Sequence, residues 1–296
     1  MTTTLVMAIV PSGAALGAEV RGIDLSTPLN SAAFSRIEEA FNHHSVLCFR
    51  DQNLNEEQFL AFMARFDKVE KVPISDFAHP NYPDIFFVSN IRDGDRSIGH
   101  DDAGAVWHTD MSYSERPPRI SALHAREVPF ENGIAKGDTH FASTAAAYDS
   151  LSDADKHRID DLFALHDLGG RRASRKKDPS KKTDISPELE LRRKKQPNVP
   201  HPVVRIHPVT GRKCLYVTKG ECVGIDGLEE EEALTLIDRL ARHIYRPPYR
   251  HTHKWRVGDL LMWDNCAVQH IATFDYKWPE HRRLMWRITV GAAPTH

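Results

Sequence analysis

Two stretches of this 296-residue chain place titratable side chains where they could hold a metal ion. In AVWHTDMSY (105–113), His108 and Asp110 stand two positions apart, flanked by Trp107 and Tyr113. On a strand, residues i and i+2 point to one face, so both side chains can reach one point. In WDNCAVQHIATFDY (263–276), His270 follows the strand-like run DLLMWDN. Two neutral imidazoles and one carboxylate are the donor set of the facial triad, which holds Fe(II) and leaves coordination positions open. Two other readings use the same residues. Polar side chains in an apolar setting are also satisfied by hydrogen bonds alone, and zinc accepts two histidines and a carboxylate as well, as in a hydrolase.

Arg283 and Arg287 lie in HRRLMWRITV, shortly after His270. Their even spacing puts both on one side of a strand, and the alternation Arg283, Met285, Arg287 assigns them to the interior of a barrel. An unpaired buried charge is costly, whereas a guanidinium is suited to gripping a carboxylate with two parallel bonds. The pair therefore points to anionic ligands, an acidic cosubstrate and an acidic substrate. The alternative is that both arginines meet buried Asp or Glu.

The elements that must position these residues are legible in outline. Residues 31–43 read as a helix with Phe34, Ile37, Ala40 and Phe41 on one stripe. Asn55 and Gln58 mark a capped helix start ahead of Phe59, Phe62, Met63 and Phe66. Ser152 with Asp155 opens another helix, and residues 229–246 form a further one with Ala233, Leu236, Ile237, Leu240 and Ile244 inward. SVLCF, DIFFVSNI, ISALHAREV, HPVVRIHP, KCLYVT, DLLMWDN and LMWRITVG read as strands. RDGDRSIGHDDAG (92–104) reads as a loop that leads into the His-x-Asp pair. The class is mainly β with helices, a β-sandwich or jelly roll carrying helical insertions.

Between the last two helices, residues 169–195 contain eleven lysines and arginines. Nucleic-acid surfaces interleave aromatics with such charge. This run has none, so it reads as a solvated loop, or as a lid, within an insertion at about 169–198, rather than as the binding surface of a non-catalytic protein. Formal net charge is −2, which gives no general attraction to nucleic acid or membrane. The four cysteines form no C-x-x-C pair, and no apolar run approaches the ~20 residues of a membrane span. MTTTLVMAIVPSGAALGAEV lacks the basic start of a secretion signal and is broken by Pro11 and Gly13. A cytoplasmic protein with reduced thiols is expected.

Taken together, GAEVRGIDLSTPL, FRDQNLNEEQFLAFMARF, WHTDMSY, GDTHFASTAAAYDSLS, HPVVRIHPVTGRKCLYV and WDNCAVQH with RRLMWRITVG resemble the TauD/TfdA family of Fe(II)- and 2-oxoglutarate-dependent dioxygenases along nearly the whole chain. The resemblance implies one domain over residues 1–296 built on a double-stranded β-helix. It implies that His108, Asp110 and His270 bind iron, and that Thr139 and Arg283 bind the far carboxylate of 2-oxoglutarate. Arg287 would face substrate or help hold the cosubstrate, and Tyr113 would line the substrate pocket. The implied reaction consumes O₂ and 2-oxoglutarate, releases succinate and CO₂, and hydroxylates a substrate C–H bond. Family members commonly form dimers or tetramers. Taurine-oxidising members carry a His and a Tyr where this chain has Val72 and Ser75, and an Asn where it has Gly104. The implied substrate is a small organic acid with an apolar body, such as an aryloxyalkanoate, another carboxylate, an alkyl sulfonate or a sulfate.

Overall fold

The alternation in LMWRITVG and ISALHAREV builds the centre of the main sheet. In the computed structural model, which describes residues 7–71, 75–168, 170, 191 and 197–292, Leu284–Ala292 and Pro118–Glu127 pair antiparallel along most of their length. Seven strands make up this sheet: β1 (Ala8–Pro11), β2 (Ala18–Arg21), β3 (Val46–Phe49), β4 (Phe86–Ser89), β5 (Pro118–Glu127), β8 (Leu260–Asp264) and β10 (Leu284–Ala292). Their order is β1-β2-β3-β8-β5-β10-β4. Only β2 and β3 run parallel within it. A three-stranded sheet, β7-β6-β9, consists of β6 (Thr139–Ser143), β7 (Arg250–His253) and β9 (Val268–Ala272).

The period of two divides the large sheet into two buried faces. Leu260 and Met262 of β8, with Trp286, Ile288 and Val290 of β10, pack under two helices. These are α1 (Ser31–His44), capped by Asn30, and α2 (Glu56–Met63), closed by the Asn55–Gln58 capping box. They contribute Ile37, Phe41, Phe59, Phe62 and Met63, in agreement with the apolar stripes in the sequence. Leu261 and Trp263, together with Met285, face the other way and meet Phe141 and Val268 of the small sheet. The site lies between the sheets on this second face. A separate core forms beneath the helix Glu230–Ile244, where Leu236, Ile237, Leu240 and Ile244 pack on Val203, Val204 and Leu215.

Several expectations need adjustment. The loop 92–104 contains a small hairpin, Arg92–Asp93 with Arg96–Ser97. Strands β1, β2, β6, β7 and β9, each four or five residues long, are not among those that periodicity assigns. Almost all of the basic run 169–195 lies outside the described residues, as does Val72. Cys48, Cys214, Cys222 and Cys266 are unpaired and buried, and no described helix is long and apolar enough to cross a membrane.

Candidate metal centre and anion pocket

His270 sits in β9, opposite Phe141 of β6. His108 reaches it through an isolated bridge: the His108 amide donates to the His270 carbonyl at 3.1 Å and the His270 amide to the His108 carbonyl at 2.8 Å. The two rings then lie 4.1 Å apart, centroid to centroid. Beyond His108 the strand expected from the His-x-Asp spacing does not form. The chain turns, with Met111 at φ +52°, because distant groups hold it. The Asp110 amide donates to Asn265 Oδ1 at 3.3 Å, and the Thr109 hydroxyl to the Asn265 carbonyl at 2.8 Å. His201 Nε2 donates to the carbonyls of Ser112 (2.8 Å) and Ser114 (3.0 Å). The turn nevertheless brings Asp110 to the point a strand would have served. Its Oδ1 lies 3.6 Å from His108 Nε2 and 3.9 Å from His270 Nε2.

The protonation states suit a cation. His108 Nδ1 lies 2.8 Å from the Val106 carbonyl, which can only accept, so Nδ1 carries the proton and Nε2 offers its lone pair. Burial alone would raise the Asp110 carboxyl. The Arg287 guanidinium leads the groups that overcome this and hold it well below the usual carboxylate range. Arg287 Nη2 is 2.8 Å from Oδ1, while the Ser121 hydroxyl donates to Oδ2 at 2.6 Å. An ionised carboxylate beside imidazole lone pairs is a fitting donor set for a divalent transition metal.

Two other clusters also bring three donor atoms within 4.8 Å of one another: Cys48–His253–Asp259 and His207–Asp264–Cys266. Their histidines and one carboxylate oxygen of each are already hydrogen-bonded within the protein. His207 Nε2 donates to Asp264, and its Nδ1 accepts from the amides of Val209 and Thr210. Asp259 Oδ2 is shared by Arg50, His253 and the Arg256 amide.

One cavity joins His108 and His270 to Thr139, Arg283 and Arg287, with Val88, Leu123, Trp263 and Ala272 as its apolar walls. Thr139 Oγ accepts from Trp255 Nε1 at 3.0 Å, so its own proton is free to be donated to a ligand. Arg283 is only 3 % exposed. Among the described residues no carboxylate lies within ion-pairing distance of it, and its Nε has no hydrogen-bond partner. Burial lowers its pKa, and Tyr276 alone opposes that. The rings of Tyr276 and Trp255 stand 5.7 and 6.0 Å from the guanidinium carbon. Gly137, at φ +81°, leaves room for it, since a Cβ there would be 3.2 Å from Arg283 Nε.

Tyr113 is half-buried past the turn and is not among the residues lining this cavity. His100 and Asp102 pair with each other at 3.0 Å. Cys222 packs against the His166 ring rather than the cavity. Periodicity did not single out Ser121, Trp255 or Asn265. Ser121 carries one signal: it is a polar residue at the same parity as the buried Leu123 and Ala125.

Comparison with known proteins agrees with this picture. The family model described as "Taurine catabolism dioxygenase TauD, TfdA family" matches residues 8–289. The chain is 32 % identical over 287 residues to an alpha-ketoglutarate-dependent sulfate ester dioxygenase of Pseudomonas putida, covering 95 % of this chain and 88 % of that one. It is 33 % identical over 264 residues to the alpha-ketoglutarate-dependent 2,4-dichlorophenoxyacetate dioxygenase of Cupriavidus pinatubonensis, covering 86 % and 87 %. The crystal structure of AAD-2 in complex with Mn(II) and N-oxalylglycine superposes with a TM-score of 0.81 at 30 % identity, covering 98 % of this chain and 99 % of that one.

Proposed function

The chain belongs to the TauD/TfdA family and is a 2-oxoglutarate-dependent non-haem iron dioxygenase, and from that premise we propose which of its side chains do the work. His108, Asp110 and His270 hold the ferrous ion. The observation that carries this assignment is the convergence of His108 Nε2 and His270 Nε2 on one oxygen of a buried, ionised Asp110. Arg283 and Thr139 bind the far carboxylate of 2-oxoglutarate, one as an otherwise unpaired buried cation and the other as a hydroxyl donor. A zinc hydrolase would leave this buried cation with nothing to bind.

When bound, iron and 2-oxoglutarate would let O₂ act as the oxidant, one oxygen atom going into succinate as CO₂ is released and the other into a substrate C–H bond as hydroxyl. The protein's part is to orient and to exclude water. Val88, Leu123 and Trp263 line the cavity with apolar surface. Arg287 faces the same space and draws the acidic head of a small organic substrate. The sulfate ester and aryloxyacetate named in the two relatives support the substrate class of aryloxyalkanoates, other carboxylates, alkyl sulfates and sulfonates. Where the new hydroxyl adjoins a heteroatom, the product collapses and the substrate is cleaved. Tyr113 would approach such a substrate from the turn side.

The packing of β6, β7 and β9 on the inner face of the large sheet supports a double-stranded β-helix core in a single domain over 1–296. Four unpaired thiols support a cytoplasmic setting. A dimer or tetramer belongs to the same proposal.

Anaerobic addition of Fe(II) and 2-oxoglutarate should give the weak visible charge-transfer band of the chelate, and His108→Ala should abolish it. A native chain that gives no band would overturn the assignment. Succinate release across a panel of sulfates, sulfonates and aryloxy acids then identifies the substrate.

A further inference from the structure

We propose that Trp263, Asn265 and Ser121 form a one-way hydrogen-bond chain that presents Asp110 to the metal through a single oxygen, which makes Ser121 a positioning residue. The inference rests on the metal assignment above and goes beyond the ligands themselves. An indole N–H can only donate. Trp263 Nε1 gives its proton to Asn265 Oδ1 at 3.1 Å, and the Asp110 amide adds a second donor to that oxygen at 3.3 Å. The Asn265 amide is therefore fixed in one orientation, with its NH₂ donating to Ser121 Oγ at 2.9 Å. Ser121 has one hydroxyl proton. With Asn265 donating to its oxygen, that proton goes to Asp110 Oδ2 at 2.6 Å.

Oδ2 is thus fastened, and Oδ1 is the oxygen that faces the imidazoles, with Arg287 Nη2 2.8 Å from it. Ser121 is fully buried, Asn265 is 1 % exposed, Trp263 2 % and Asp110 3 %, so bulk water does not compete for these bonds. The consequence is coordinative. A carboxylate bound through one oxygen occupies one position at the metal, which keeps room for a chelating cosubstrate and O₂ together. A carboxylate free to turn could bind through both oxygens and take one of those positions. Ser121 touches neither metal nor substrate; it acts through Asp110.

The test is an anaerobic Co(II) titration of the native chain, Ser121→Ala and Ser121→Cys, without 2-oxoglutarate. The visible d–d bands are followed, and urea unfolding of each metal-free chain is measured alongside. Native protein that binds Co(II), with His108→Ala that does not, establishes the metal assignment by itself. Ser121→Ala is then expected to weaken Co(II) binding by about 10- to 100-fold and to change band shape and intensity. Ser121→Cys, a weak donor, should fall between. Should Ser121→Ala fail to fold, the cysteine variant carries the test on the same criteria. Affinity within about twofold of native and an unchanged spectrum would overturn the inference. So would an affinity loss that tracks lost urea stability while the band shape stays native. A native chain that takes up no Co(II) removes the metal assignment, and this inference with it.

Discussion

Arg283→Met separates a binding role from a structural one. The guanidinium is buried, lacks a carboxylate among the described residues, and is flanked by two rings at 5.7 and 6.0 Å. Those separations are at the outer limit for cation–π attraction, so the two rings and the Tyr276 hydroxyl offset only part of the cost of burial. Holding an ion out of water costs several kcal/mol, so the metal-free protein gains little from this residue. Its backbone is anchored independently: the Arg283 amide donates to Asn90 Oδ1 and its carbonyl accepts from Ser89. Methionine keeps the unbranched stem without the charge. The metal-free variant should therefore be as stable as native, or more stable by about 1–2 kcal/mol. The cosubstrate should suffer instead. Losing one partner of a buried, hydrogen-bonded charge pair costs about 2–5 kcal/mol, or roughly 30-fold to several-thousand-fold in affinity. The assays are urea unfolding of the metal-free protein and anaerobic titration of 2-oxoglutarate into the Fe(II) form, read from the charge-transfer band. Half-saturation within about threefold of native would refute the assignment. A loss of more than ~2 kcal/mol in the metal-free protein would show that Arg283 is structural.

Trp255→Phe removes the donor to Thr139 Oγ and should raise half-saturating 2-oxoglutarate about 2- to 10-fold, the value of one neutral hydrogen bond, with Co(II) affinity unchanged in the same titration. Asp264 accepts from His207 and Arg119 inside the core, and Asp264→Asn should cost about 3 kcal/mol in urea unfolding at pH 7. Burial raises the Asp264 carboxyl, but His207, followed by Arg119, lowers it below its ordinary value. Its contribution is therefore complete above the unfolded-state pKa of about 3.9 and is lost as pH falls through the lower folded value. The gap between native and variant should narrow below about pH 4. Gly104 has φ +85°, and a Cβ there would lie 3.2 Å from Ala272 Cβ and 3.6 Å from His108 Cε1. Gly104→Ala should cost about 1–2 kcal/mol by thermal unfolding, while Co(II) affinity stays near native because the His108 contact is an ordinary one.

Most of the packing was legible because it follows local periods. Phe34, Ile37, Ala40 and Phe41 fall on one helical stripe and are buried as a group, and the even spacing of Arg283 and Arg287 does bring both to one cavity. The site was legible in its residue types but not in its backbone. The i, i+2 argument put Asp110 beside His108 on a strand, and the pair does converge, yet by a turn that Asn265 and His201 impose. No period in residues 105–113 encodes contacts supplied from beyond residue 200. Ser121 and Trp255 stayed hidden because their importance lies in which way a proton points across strands, and composition is silent on that.

Charge accounting narrows the substrate further than residue identity does. The cavity is lined by the cations Arg283 and Arg287, and among the described residues Asp110 is the carboxylate that pairs with one of them, Arg287. In low dielectric, charges left unbalanced are expensive. A ferrous ion adds two positive charges and 2-oxoglutarate subtracts the same two, so the occupied site still carries one excess positive charge. With Arg283 assigned to the cosubstrate as proposed above, a substrate with one negative group would close the balance at Arg287. Arg287 already lies 2.8 Å from Asp110 Oδ1, so an anionic head entering here meets a guanidinium held in place by the proposed carboxylate ligand. A neutral ester of the same acid would leave the proposed assembly with one excess positive charge in a largely apolar cavity. This disfavours neutral substrates on electrostatic grounds even where their shape would fit.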